Sequence, residues 1–146
     1  MYSWIVGRVV RRLFARLSAG DPEPVLRAFA PGARLVFPGD SSFATDTRDR
    51  AEIEAWFRRF VSFGPNFEVH DVVVSGPPWN MRAGVRFTDR MTPPGGGSYE
   101  NDGMQYLRLR WGRVTEDRVH LDTQLVAELD AGARAAPTPG PTARTR

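Results

Sequence analysis

The chain has 146 residues, 41% hydrophobic and 25% charged, which suits one globular domain with its own core. It has no cysteine and no lysine, so disulfides, thiolate nucleophiles, cysteine-ligated zinc and lysine Schiff bases are excluded. The net charge of +3 resides in residues 131–146, which hold three arginines and no acid; the remaining 17 arginines face 17 acids, so the folded part gives no electrostatic reason to expect nucleic acid.

Residues 1–19 read as a helix, because Ile5, Val6, Val9, Val10, Leu13, Phe14 and Leu17 recur at spacings of three and four. Arg8, Arg11, Arg12 and Arg16 occupy its other face, the common pattern of a core-packed helix with a basic outer side, so no membrane partner is expected. Asp21 offers an N-cap, Pro22 a first helical position, and residues 24–30 a short second helix. Residues 33–37 form a strand closed by Pro38-Gly39, and 40–48 a polar loop. Asp49 and Glu52 have capping-box spacing before a third helix, 50–63, with Ile53, Trp56, Phe57, Phe60 and Val61 on one stripe.

Four strands are expected after it: 67–75, 82–91, 103–111 and 118–129, with a Gly/Pro loop at 92–98 and a connection at 113–117. Helices first and an antiparallel meander after imply an α+β domain over residues 1–130. Residues 131–146 are too poor in core-forming side chains to fold and are expected as a disordered tail. No apolar run approaches the roughly 20 residues that span a bilayer, and a cytoplasmic location is expected.

The element order, with S-A-G-D after helix one, L-R-A-F-A-P-G-A-R-L-V-F-P-G, R-A-E-I-E-A-W-F and V-H-L-D-T-Q, resembles the nuclear transport factor 2-like superfamily, and within it the SnoaL-like, polyketide cyclase-like branch. The resemblance covers residues 9–127. It implies three N-terminal helices packed on a curved, mainly antiparallel sheet, a cone that encloses a ligand pocket and often dimerises through the sheet. Ketosteroid isomerases of this superfamily place a general-base aspartate, a tyrosine and a protonated aspartate where this chain has Phe37, Leu13 and Gln105 respectively. Limonene epoxide hydrolases resemble it at Arg90-Met91-Thr92, where the arginine is kept and Thr92 replaces the acid, and their second aspartate falls near Gln124. The SnoaL-type cyclases need less: one acid/base carboxylate, one hydrogen-bonding partner and an apolar cavity.

His120, Asp122 and Gln124 share one face of the expected last strand, and Arg86, Thr88 and Arg90 share one face of the second. If both faces point into the cone, Asp122 is the acid/base, with Arg90 and His120 tuning it and Gln105 or Gln124 donating a hydrogen bond. The same H-x-D-x-Q stripe also fits the solvated face of a half-buried strand. Phe37, Trp56 and Phe60 are expected on the pocket wall. The expected function is a cofactor-independent cyclase or isomerase acting on a small apolar, oxygenated molecule. The alternatives are a binding module with the same pocket, or a dimeric scaffold of the same fold. No metal site is expected from two distant histidines.

Overall fold

The computed structural model describes residues 1–92 and 96–136. The elements run α1 (Tyr2–Ser18), α2 (Glu23–Ala28), β1 (Phe29–Phe37), β2 (Thr45–Thr47), α3 (Arg50–Ser62), β3 (Asn66–Ser75), β4 (Met81–Met91), β5 (Tyr99–Arg110), β6 (Arg113–Leu121) and α4 (Thr123–Ala135). The strands form one curved sheet in the order β2-β1-β6-β5-β4-β3. Every neighbouring pair is antiparallel except β1 and β6, which are parallel.

Alternation along the strands sets the two faces of the sheet. On β4, Met81, Ala83, Val85, Phe87, Asp89 and Met91 are buried, while Arg82, Arg86 and Arg90 are exposed. Helix α1 lies along β3 and buries Val6, Val10, Phe14 and Leu17. Its Arg11 donates to the Val69 carbonyl (3.0 Å), and Ser18 Oγ accepts from the Phe67 amide (2.9 Å). Helix α3 starts where Asp49 accepts from the Glu52 amide (3.0 Å), and Thr47 joins the cap by accepting from the Asp49 amide (3.0 Å). It buries Ile53, Phe57 and Phe60.

The structure corrects the expected elements at several places. Helix α2 ends at Ala28, and β1 begins at Phe29 with a register shift before Arg34. The polar loop contains β2, which Arg34 fastens by a two-pronged bond to Asp46 (2.7 and 2.6 Å). The β5–β6 turn is Trp111-Gly112, so residues 113–117 are strand rather than connection. The expected strand 118–129 stops at Leu121, because the Asp122 carboxylate accepts from the Gln124 and Leu125 amides and caps α4. Residues 131–135, expected in the tail, are the last turn of that helix. The rest of the tail call, from residue 137, and residues 93–95 of the Gly/Pro loop lie outside the described residues.

Helix α4 closes the open end of the cone. Its start packs against Gly39, whose φ of +104° favours glycine and where an added Cβ would come within 2.9 Å of Thr123 Cβ. Its last full turn is held by buried Asp130, which accepts from Ser42 N (2.8 Å), Ser42 Oγ (2.6 Å) and Arg134 (2.8 Å). Burial alone would raise the Asp130 pKa. The Ser42 bonds, with Arg134 and Arg59, outweigh it and hold the carboxyl below its ordinary value.

Two substitutions test this account. Asp130→Ala removes the buried group that ties α4 to Ser42 and is expected to cost about 1–3 kcal/mol in urea unfolding, with faster hydrogen exchange across residues 123–135. Gly103 is covered by the Phe87 ring, 2.5 Å from where a Cβ would stand, and that ring is wedged against Phe14 and Phe67. Gly103→Ala is therefore expected to destabilise by about 1–3 kcal/mol in the same measurement, through overpacking.

Candidate functional site

The concave face of the sheet, α1, α3 and α4 enclose an aromatic hollow. Phe37, Phe43, Trp56, Phe60, Phe67 and Phe87 line it, with Leu125's neighbour Val126 and Leu129 of α4 across its mouth. Trp56 stacks on Phe60 (5.1 Å, 14°) and is fixed by donating its indole N–H to the Phe43 carbonyl (2.8 Å). The space open to water centres is about 40 Å³. That holds water, but a typical ligand site needs roughly 300 Å³ or more. Entry of a ligand therefore requires the aromatic wall or α4 to move.

Four polar side chains interrupt this lining: Asp89, Tyr99, Gln105 and Asp117. Asp89 is 3% exposed, and its Oδ1 has no hydrogen-bond partner among the described residues. Burial pushes its pKa up to about 7, opposed by the Asn66 backbone N–H. Asp117 is 2% exposed and accepts from Gln105 Nε2. Burial again pushes its pKa up to about 7, against the lowering effect of Gln105. Among the described residues no arginine or histidine lines the hollow. Tyr99 is pushed up to about 12 by burial, and its oxygen accepts from Asn101 Nδ2 (3.0 Å), leaving its own proton to donate. The same Asn101 amide bonds the Asp122 carbonyl (2.8 Å) and joins β5 to the start of α4.

Register spaces the two carboxyls. Asp89 is level with Asn101 on β5, and Asp117 with Leu107, so they occupy opposite ends of the hollow. Asp89 shares its end with Tyr99 and Met91. Asp117 and Gln105 lie deeper and also line a second small void beneath α1, with Leu13 and Phe14.

The structure separates the residues singled out in the sequence. Phe37, Trp56, Phe60 and Gln105 are on the cavity wall. Asp122, His120 and Arg90 are not. Asp122 is exposed and spends its carboxylate on the α4 cap. His120 is exposed on the outer face of the sheet, with Arg86 beside the same shallow depression. Arg90 is also outside, bonded to Glu68 (2.9 Å) and Glu100 (2.7 Å). Thr88 is buried but faces outward, donating to Asp102 (2.6 Å) and meeting His70 Nε2 (2.8 Å). Gln124 is on the exposed side of α4, bonded to Glu128 (3.2 Å).

The correction is one of strand parity. On β4 the polar stripe faces out, and the inward stripe is Val85, Phe87, Asp89, Met91. A lone acid within an apolar period-two stripe was the available signal for Asp89. Asp117 was hidden because residues 113–117 were read as a connection: a bulge sets the inward residues Val114 and Asp117 three apart, so that only from Asp117 and Val119 onward does the strand alternate. Among the described residues no three His, Asp or Glu side chains could hold a metal ion together.

Comparison with known proteins agrees with this architecture. The structure is similar to an NTF2-like protein of unknown function from Burkholderia pseudomallei, with 25% identity, 84% of this chain and 95% of that one covered, and a TM-score of 0.72. It is similar to TerC co-crystallised with polyporic acid (19% identity, 85% and 96% covered, TM-score 0.72). It is also similar to IdmH, a putative polyketide cyclase from Streptomyces antibioticus (22% identity, 87% and 98% covered, TM-score 0.66). No curated protein matches the sequence. The profile of the SnoaL-like domain matches residues 10–117, most of the chain, and with the fold described above the protein belongs to the SnoaL-like domain family.

Proposed function

We propose that this SnoaL-like domain binds a small, apolar, oxygenated molecule in the aromatic hollow and moves a proton on it, as a cofactor-independent cyclase or isomerase. The observation that carries the reading is Asp89: a buried carboxyl with an unpartnered oxygen on the cavity wall, beside a tyrosine whose proton is free to donate. A carboxyl with a pKa near 7 exchanges a proton readily at neutral pH. In this reading Asp89 takes a proton from carbon next to a carbonyl, and Tyr99 donates a hydrogen bond to the oxygen that gains charge. Asp117 and Gln105 hold a second oxygen at the far end, so the substrate is elongated and carries oxygen at two separated positions. This assignment takes the place of the one built on Asp122, His120 and Arg90. TerC with polyporic acid and the putative polyketide cyclase IdmH support a ligand of this kind by likeness of fold alone.

The small free volume favours a second reading, a binding or scaffold domain of the same fold whose hollow stays filled by its own side chains. A homodimer through the sheet fits either reading. Met104 is exposed at the centre of the outer face, in a shallow depression with Tyr106 and His120. Sedimentation at rising concentration should show a dimer that Met104→Glu disrupts.

The decisive assay screens oxygenated aromatic and polyketide-like compounds for a thermal shift and then for chemical turnover. Asp89→Asn is expected to keep binding and to lower turnover by about 100-fold or more. Binding without turnover in the wild-type protein would establish the second reading instead.

Both carboxyls also make stability depend on pH. Each has a folded pKa raised above its unfolded value of about 4, so the folded state binds the proton more tightly. Their contribution is fully present below about pH 4 and is lost as the pH rises through about 7. Urea unfolding at pH 5 and pH 8 should therefore show lower stability at pH 8. Asp117→Asn, which keeps the acceptor for Gln105, should flatten that slope by an amount of order 1–4 kcal/mol.

A further inference from the structure

One end of the molecule carries exposed aromatic side chains and arginines that the hollow does not use. The β5–β6 hairpin turns through Trp111 and Gly112, both with positive φ (52° and 77°). Asn, Asp or Gly suits the first position of such a turn, and a bulky residue there is strained. Trp111 gains little burial in exchange, being 63% exposed. Its amide donates to the Pro78 carbonyl (2.7 Å), and its ring rests against the ring of Trp79, 57% exposed, with centroids 5.9 Å apart. Strain held at an exposed tip marks a side chain placed for a partner rather than for the fold.

The N-terminus of α1 extends this surface. The Tyr2 hydroxyl reaches the turn, 3.8 Å from where a Cβ on Gly112 would stand. Ile5 and Val9 continue the same helical stripe, and both are exposed. Trp4 is exposed beside them under the Arg8 guanidinium (4.8 Å).

Charge is segregated here as well. Residues 1–20, 76–88 and 103–115 hold four, two and three arginines, nine in all, and no acid, although Arg16 pairs with Asp21 and Arg86 with Asp71. Arg8, Arg12, Arg82, Arg108 and Arg110 form no ion pair among the described residues. Sheet register sets Arg82 opposite Arg108 and Arg110 opposite Arg113, with Glu116, opposite Arg108, the one acid of the depression that Trp79, Arg108 and Arg110 share among the described residues. The formal neutrality of the folded part is thus a sum over two unlike regions.

We propose that this end docks peripherally on an anionic lipid bilayer, with Trp111, Trp79 and the Tyr2–Ile5–Val9 stripe in the interfacial layer and the unpaired arginines against lipid phosphates. Indoles prefer that layer, and exposed aliphatics beside arginines are the mark of an interfacial helix. The surface fits nucleic acid less well, because Ile5 and Val9 cannot stack on bases and the two indoles partly cover each other. It fits a second copy less well, because a two-fold contact would set these arginines against their own images. The expectation of no membrane partner came from α1 alone; the folded chain adds the two turns to it.

The test uses the full chain and two vesicle compositions, phosphatidylcholine alone and phosphatidylcholine with about 30 mol% phosphatidylglycerol. The protein should sediment with the anionic vesicles, weakly with the neutral ones, and progressively less as salt rises. Brominated lipid should quench the exposed tryptophans but leave inward-facing Trp56 unaffected. Trp111→Asn suits the turn and should fold at least as stably, yet bind anionic vesicles about tenfold more weakly. Arg82→Gln with Arg110→Gln, both exposed, should weaken binding without changing the unfolding midpoint. Failure to sediment with anionic vesicles at low salt overturns the proposal. So does wild-type binding by Trp111→Asn. A Trp111-dependent oligonucleotide complex or self-association, without vesicle binding, overturns it too.

Discussion

Two carboxyl groups face a hollow walled by phenylalanine and tryptophan, with no cation among the described residues around it. Burying a charge in such a place is costly, and a carboxyl responds by keeping its proton. This separates the inner chemistry of the molecule from that of its surface. Outside, Arg86 and Arg90 meet acids across β3, β4 and β5, and those pairs are exposed and weak. Inside, Asp89 and Asp117 are left to amides and a tyrosine, and their protons become available in the neutral range. The concave sheet makes this possible, because it gives an inward residue aromatic neighbours from three sides.

Much of the fold could be read from residue pattern. The apolar spacing of α1, the Asp49 cap of α3 and the alternation of β3 to β5 are local signals, and local structure obeyed them. The parallel pairing of β1 with β6 carries no such signal, since it depends on which edges the chain brings together. The last helix was misread because His120, Asp122 and Gln124 alternate like a strand, yet Asp122 is also an N-cap. A residue type that serves both roles leaves the choice to tertiary packing, and Val126 and Leu129 decide it by covering the hollow.

The site followed the same logic. Aromatic wall positions were legible because large apolar groups on α3 and β1 have only one place to go. The acids were not, because a polar stripe is the more conspicuous half of an alternating strand. In this cone the conspicuous half faces water, and the buried carboxyl of β4 is the exception within the apolar half.

Gly39 and Thr123 meet where the polar loop leaves β1 and the closing helix begins. Their contact is a glycine hydrogen against the threonine Cβ and its methyl, with no room for anything larger. The seating of the closing helix thus depends on the absence of a single carbon atom. A methyl group placed there would act as a doorstop, prising the helix from its frame, and the resting aperture of the chamber is set at a position that never touches its contents.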